Sequence, residues 1–198
     1  WDDPRIVEAN PNINLPSSSI QVIARSDSSG TTFAFTNHLA TVSPAWKTTF
    51  GATKKLDWPG TTMEAKGNEG VSQRLAITNN SIGYVEFGFA QRLGLKVASL
   101  ENKSGKFVQP NNETGDIGLV DKFYSEAEDV VSSIADPEGE SAYPIVAYTW
   151  ALIRKQYETP GKASEIRELI KWTLNEGQSL AAPLHYLTLS PEIIQSEQ

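Results

Sequence analysis

The run Ile20-Gln21-Val22-Ile23-Ala24 has the length and β-branched content of a buried strand. It leads directly into Arg25-Ser26-Asp27-Ser28-Ser29-Gly30-Thr31-Thr32, and then into Phe33, Phe35, Leu39 and Val42, whose spacing fits one face of a helix. A strand that enters a helix through a short polar turn is the building unit of α/β domains, and the rest of the chain repeats the pattern. Ser43-Pro44 supplies a cap and a first-turn proline for a short helix through Trp46. Gly67-Asn68-Glu69-Gly70 opens a helix over Val71 to Ile77, and Ile82-Gly83-Tyr84-Val85-Glu86 reads as another strand.

Further on, Lys103-Ser104-Gly105-Lys106 is a turn between Val97–Leu100 and Phe107–Val108, and the polar stretch Pro110 to Asp116 reads as a surface loop. A helical segment is expected over Ala127 to Ile134. Asp136-Pro137-Glu138-Gly139-Glu140 is the strongest composition break, a candidate hinge. Tyr143 to Ile153 has the aromatic and β-branched content of a central strand. Thr159-Pro160 caps a helix whose Ile166, Leu169, Ile170 and Leu174 form one apolar face, stopped by Gly177.

The totals exclude several functions. A formal charge of −7, with Lys54-Lys55 as an adjacent cationic pair, argues against nucleic acid, whose phosphates demand clustered Lys and Arg. With no cysteine there is no disulfide and no thiolate metal site in this sequence. No stretch approaches the roughly 18 to 20 apolar residues of a membrane helix. The acidic total repels a small anion at long range, so an anion site here must act through short, directed hydrogen bonds and one local cation.

Arg25 to Thr32 meets that demand. The first turn of a helix presents N–H groups without internal acceptors and a favourable dipole, which suits a tetrahedral oxyanion. Gly30 removes the Cβ that would hold a ligand off the backbone, and Ser29 and Thr31 add hydroxyl donors. Arg25 can present a planar fork to two oxygens, with Asp27 placed to orient it. The same residues also satisfy a plainer reading, in which Ser29 merely caps the helix and Asp27 stabilises its N-terminus.

Other chemistries fit poorly. Asp27-Ser28-Ser29-Gly30 lacks the Gly-x-Ser-x-Gly elbow of serine hydrolases. His38 falls within the helix that follows, and His185 sits in an apolar run. No nucleotide-binding G-x-x-x-x-G-K-[ST] occurs, since Gly161-Lys162 lacks the upstream glycine. Asn112, Glu113 and Asp116 do not match a calcium loop, and no cofactor motif is present. The sequons at Asn79, Asn102 and Asn112 are expected by chance in so polar a chain.

An ordered series of segments goes further. Trp1-Asp2-Asp3-Pro4-Arg5-Ile6, the R-x-D-x-S-G-T pattern at Arg25 to Thr31, Ser43-Pro44-Ala45-Trp46-Lys47, Lys66-Gly67-Asn68-Glu69-Gly70-Val71, Ser81-Ile82-Gly83-Tyr84-Val85-Glu86 and Tyr143-Pro144-Ile145 occur in sequence. Together they resemble the phosphate-binding proteins of bacterial ABC phosphate transporters, the PstS family of two-lobed periplasmic receptors. The resemblance covers nearly the whole chain.

That resemblance implies an α/β lobe of the type II periplasmic binding protein kind, a mixed sheet flanked by helices within an incomplete two-lobed architecture. Residues 1–142 would form most of the second phosphate-binding lobe, and 143–198 the hinge strand and helices returning to the first. Inorganic phosphate would be held by Arg25, Ser29, Gly30 and Thr31, with Asp27 fixing Arg25. The partner would be a membrane permease, the location the periplasm or cell surface, and the role binding without catalysis or cofactor. The family's remaining phosphate ligands would precede Trp1, so this chain is expected to bind phosphate weakly at most and to self-associate through an uncovered edge. Sulfate or molybdate receptors are the nearest alternative, because those anions differ from phosphate mainly in carrying no proton. A ligand-free interaction protein on the same fold is another.

Overall fold

The computed structural model describes residues 1–125 and 134–196. They divide into two compact units, Trp1–Lys96 and Val97–Gln198. The Asp136–Glu140 break lies inside the second.

The first unit runs α1 (Pro4–Ala9), β1 (Gln21–Arg25), α2 (Gly30–Val42), α3 (Pro44–Thr49), β2 (Met63–Ala65), α4 (Gly67–Ile77), β3 (Ser81–Gly83) and α5 (Phe87–Arg92). Its three strands form a parallel sheet in the order β2-β1-β3, with Ile23 level with Met63 and Gly83, and Arg25 with Ala65. The central strand is buried through Ile23, Ala24 and Arg25, as a strand between two neighbours should be. A helix follows each of the three strands, which is the expected α/β alternation.

Ser43 caps α3 as the sequence suggests, its hydroxyl accepting from the Trp46 amide at 3.2 Å ahead of Pro44. The inward side of α2 differs from expectation. Its buried residues are Thr32, Thr36 and His38, while Val42 is half exposed. The threonines sit inside because their hydroxyls are satisfied there. Thr36 Oγ1 donates to the Thr53 carbonyl and accepts from the Thr53 amide, both at 2.9 Å. Phe35 and Tyr84 stack with ring centres 4.6 Å apart, and Trp58 and Trp46 continue the aromatic layer.

Where β1 and β3 pair, the backbones leave no space for a side chain. A Cβ on Gly83 would lie 2.6 Å from the Ile23 carbonyl oxygen and 3.3 Å from both methyls of Leu75. Gly83→Ala is therefore expected to destabilise the first unit by about 2–3 kcal/mol in urea unfolding. A change below about 0.5 kcal/mol would mean that the β1–β3 spacing is not as described.

The second unit holds a hairpin of β4 (Leu100–Glu101) and β5 (Phe107–Val108), then α6 (Asn112–Ser125), α7 (Lys162–Leu174), 3₁₀ turns at Glu176–Leu180 and Ala182–Leu184, and α8 (Pro191–Ser196). Leu119, Ile134 and Val146 form its core cluster, with Tyr148 and Leu187 packed on it. The expected helix over Ala127 to Ile134 lies outside the described residues, apart from Ile134.

Three expectations are corrected here. Pro110–Asp116 is not a loop throughout, because α6 begins at Asn112. Asn111 Oδ1 accepts from the Thr114 amide at 2.9 Å while Thr114 Oγ1 accepts from the Asn111 amide at 3.1 Å, a reciprocal cap built from residues that also favour loops. Tyr143–Ile153 forms no ladder among the described residues, and Leu152 is 97% exposed. Strand propensity expresses a fit to neighbouring strands and gives no sheet without a partner. Finally, α7 has Gly161 at φ +81° as its N-cap and ends at Leu174 with Asn175 as C-cap, so Thr159-Pro160 is only the preceding turn and Gly177 falls in a 3₁₀ turn. The apolar face of α7 is only partly covered, since Ile166, Ile170 and Leu174 are half-buried while Leu169 is 59% exposed.

Candidate functional site

The carboxyl end of β1 and the N-terminus of α2 meet at the loop singled out in the sequence. In open α/β sheets this is where ligands bind, because the loops there present backbone donors at a helix start. Ser29 is the N-cap, its Oγ accepting from the Thr32 amide at 3.3 Å and its own amide donating to the Lys54 carbonyl at 2.8 Å. The cap uses a lone pair of the hydroxyl and leaves its proton available as a donor. Capping and ligand contact are therefore compatible in one residue. Gly30 and Thr31 occupy the first two helical positions, whose N–H groups have no acceptor within the helix. Gly30 is exposed, and a Cβ there would meet nothing within 4 Å.

Arg25 is 8% exposed and held on both edges. Its Nε and Nη2 donate to the two carboxylate oxygens of Asp27 at 2.8 and 2.6 Å, and its Nη1 donates to Asn68 Oδ1 at 3.3 Å. Because a guanidinium carries five N–H donors, Nη1 and Nη2 each keep a proton beyond those bonds. Hydrogen bonding to Asp27 raises the Arg25 pKa above its ordinary value. The Asp27 carboxyl is lowered well below the usual range, first by Arg25 and then by the Gly67 amide, which reaches Oδ1 at 3.0 Å. Gly67 makes that contact at φ +70°, a backbone angle a side chain would oppose.

Tyr84 closes the site from the side of the sheet. Its hydroxyl accepts from the Arg25 amide at 3.3 Å and lies 2.8 Å from Thr32 Oγ1, so it can pass its own proton to Thr32. Burial raises its pKa. Beyond β3, the chain has left the ladder to bring this side chain against α2.

The structure thus gathers Arg25, Asp27, Ser29, Gly30 and Thr31 around one helix start. His38 is buried within α2, and His185 belongs to the second unit. The sequence reading did not connect Gly67, Asn68 and Tyr84 with the loop. Asn68 and Tyr84 sit in motifs noted for other reasons, and nothing local marks them as neighbours of Arg25. Among the described residues no helix is long and apolar enough to cross a membrane.

Comparison with known proteins agrees with this architecture. The chain is 38% identical over 198 residues to "Phosphate-binding protein PstS" of Pasteurella multocida (strain Pm70), covering 100% of this chain and 57% of that protein. It is 37% identical to the protein of the same name from Xylella fastidiosa (strain 9a5c), covering 98% of this chain and 53% of the relative. A Methanocaldococcus jannaschii protein of that name is 38% identical over 90% of this chain and 50% of its own length. The chain therefore spans about half the length of these curated relatives. Among solved structures, a high-affinity periplasmic phosphate-binding protein bound with phosphate superposes with a TM-score of 0.68 at 19% identity, over 89% of this chain and 56% of the other, which shows a shared fold. The description of the matching family is PBP superfamily domain, matched over residues 1–176, and the chain belongs to that family as a PstS-type protein.

Proposed function

We propose that the Arg25–Thr32 loop binds inorganic phosphate, as part of the solute-capturing component of a phosphate ABC transporter. The observation that carries this reading is the convergence of Arg25, locked by Asp27 with donors to spare, on the open N-terminus of α2. Arg25, Ser29, Gly30 and Thr31 supply the ligand contacts, and Asp27 holds Arg25. The names of the relatives support phosphate as the anion and binding rather than catalysis as the role. On this reading, residues 1–142 are most of one phosphate-binding lobe and 143–198 return to the other. The protein then works outside the cytoplasmic membrane, in the periplasm or at the cell surface, and delivers phosphate to a membrane permease.

These donors approach an anion from one surface, so several of its oxygens stay with water and each bond is weakened by it. The 198 residues alone should bind phosphate with a dissociation constant on the order of millimolar. Calorimetry giving micromolar affinity would contradict the one-sided site. Competition with sulfate addresses the nearest alternative, since stronger sulfate binding would replace phosphate as the assigned ligand.

Gly30 separates the two uses of the loop. Gly30→Ala is expected to leave stability within about 0.5 kcal/mol, because nothing opposes the added methyl. Phosphate binding should nevertheless weaken about tenfold, as the methyl intrudes on the helix start. Unchanged binding would reduce Gly30 to an ordinary first helical residue.

A further inference from the structure

Asn68 is the second residue of α4, and its side-chain oxygen accepts from two donors at once, Arg25 Nη1 at 3.3 Å and the Glu86 amide at 3.4 Å. Both partners are donors, so the carbonyl end of the amide must face them. The guanidinium is therefore flanked by unlike groups, a carboxylate along Nε and Nη2 and a neutral amide at Nη1. Arg25 and Asp27 together carry no net charge. Glu86 already acts on Arg25 at longer range, so a carboxylate bonded to Nη1 itself would add a further negative charge at the point where an anionic ligand approaches.

We infer that Asn68 is a positioning and charge-setting residue for the anion site, holding the Nη1 edge of Arg25 with a neutral group in place of another carboxylate so that an oxyanion is admitted. The inference rests on the phosphate reading and adds to it a residue outside the loop. Aspartate is the informative replacement, because it has the shape of asparagine and can accept the same two bonds while adding one negative charge. Alanine removes the bonds and adds no charge.

The two roles Asn68 could have order these variants oppositely. If it served only the fold, N68D would bind phosphate like the wild type and N68A would be the weaker. If it sets charge, N68D is the weaker although it is the better folded. The test is a phosphate titration of the ¹⁵N-labelled 198-residue chain, following the Gly30 and Thr31 amides, with thermal midpoints measured on the same samples. N68A is expected to lower affinity about tenfold, as for one lost hydrogen bond to a charged group. N68D should lower it on the order of a hundredfold, with a thermal midpoint at or above that of N68A. N68D binding like the wild type overturns the charge-setting role, and N68A binding like the wild type overturns the positioning role. Each variant decides its part separately, so one that fails to fold does not shelter the other. If the wild-type amides do not respond at all, the phosphate reading itself falls and this inference with it.

Discussion

Arg25→Ala is expected to abolish phosphate binding, lowering affinity by at least about a hundredfold, since it removes two charge-assisted contacts of roughly 1.5–3 kcal/mol each. The same change strands Asp27, whose carboxylate keeps the Gly67 amide but loses both guanidinium bonds. Because the Asp27 side chain is 30% exposed, water recovers part of that loss, and the stability cost should be about 2 kcal/mol rather than that of a dry pair. Asp27→Asn separates the roles, leaving Arg25 charged and merely less constrained. Binding lost in R25A and retained in D27N identifies Arg25 as the contact and Asp27 as its support. Retained binding in R25A would remove the cation from the site.

Asn102 should dominate the stability of the second unit in the same way. Its side chain is 5% exposed and fully bonded. Nδ2 donates to the carbonyls of Gly139, Glu140 and Ala142 at 3.3, 3.0 and 3.1 Å, and Oδ1 accepts from the amides of Ser104 and Lys106, both at 3.1 Å. The β4–β5 turn and the 139–142 segment are thereby pinned to one amide, and an ion pair between Lys103 and Glu138 adds to the connection. Asn102→Ala removes all five side-chain bonds at once, the Gly139 carbonyl alone among the three keeping a bond within the described residues, from the Ala142 amide, and about 3 kcal/mol of destabilisation is expected in chemical unfolding. A loss under about 1 kcal/mol would show that the 139–142 segment is held by other means. The sequon at Asn102 has no accessible amide in this fold.

The loop was legible because its signals are local. A β-branched run, a Ser at the cap, a Gly behind it and helical spacing beyond all lie within one short segment, and each is decided by neighbours in sequence. Asn68 and Tyr84 were not legible as members of the same site. Their bonds to Arg25 span 43 and 59 residues, and only the pairing of β1 with β2 and β3 brings them across that separation. The buried threonines of α2 were missed for a related reason, since a hydroxyl is admitted to a core only by a partner elsewhere in the chain. Local signals also misled at Asn111–Thr114, where a helix cap and a loop use the same residue types, and at Tyr143–Ile153, where β-branched content met no strand to pair with.

The resemblance to phosphate receptors rests on ordered segments most of which lie in the first unit, and the relatives agree with it, while the structural neighbour shares the fold. What remains is the ligand at the loop. The most direct measurement is a ¹H–¹⁵N titration of the 198-residue chain with phosphate, against chloride at equal ionic strength. Saturable shifts concentrated on the Gly30 and Thr31 amides, with a dissociation constant on the order of millimolar and absent with chloride, are the predicted result. Shifts that are the same in both salts, or that fall away from the α2 N-terminus, would contradict a phosphate site at Arg25–Thr32.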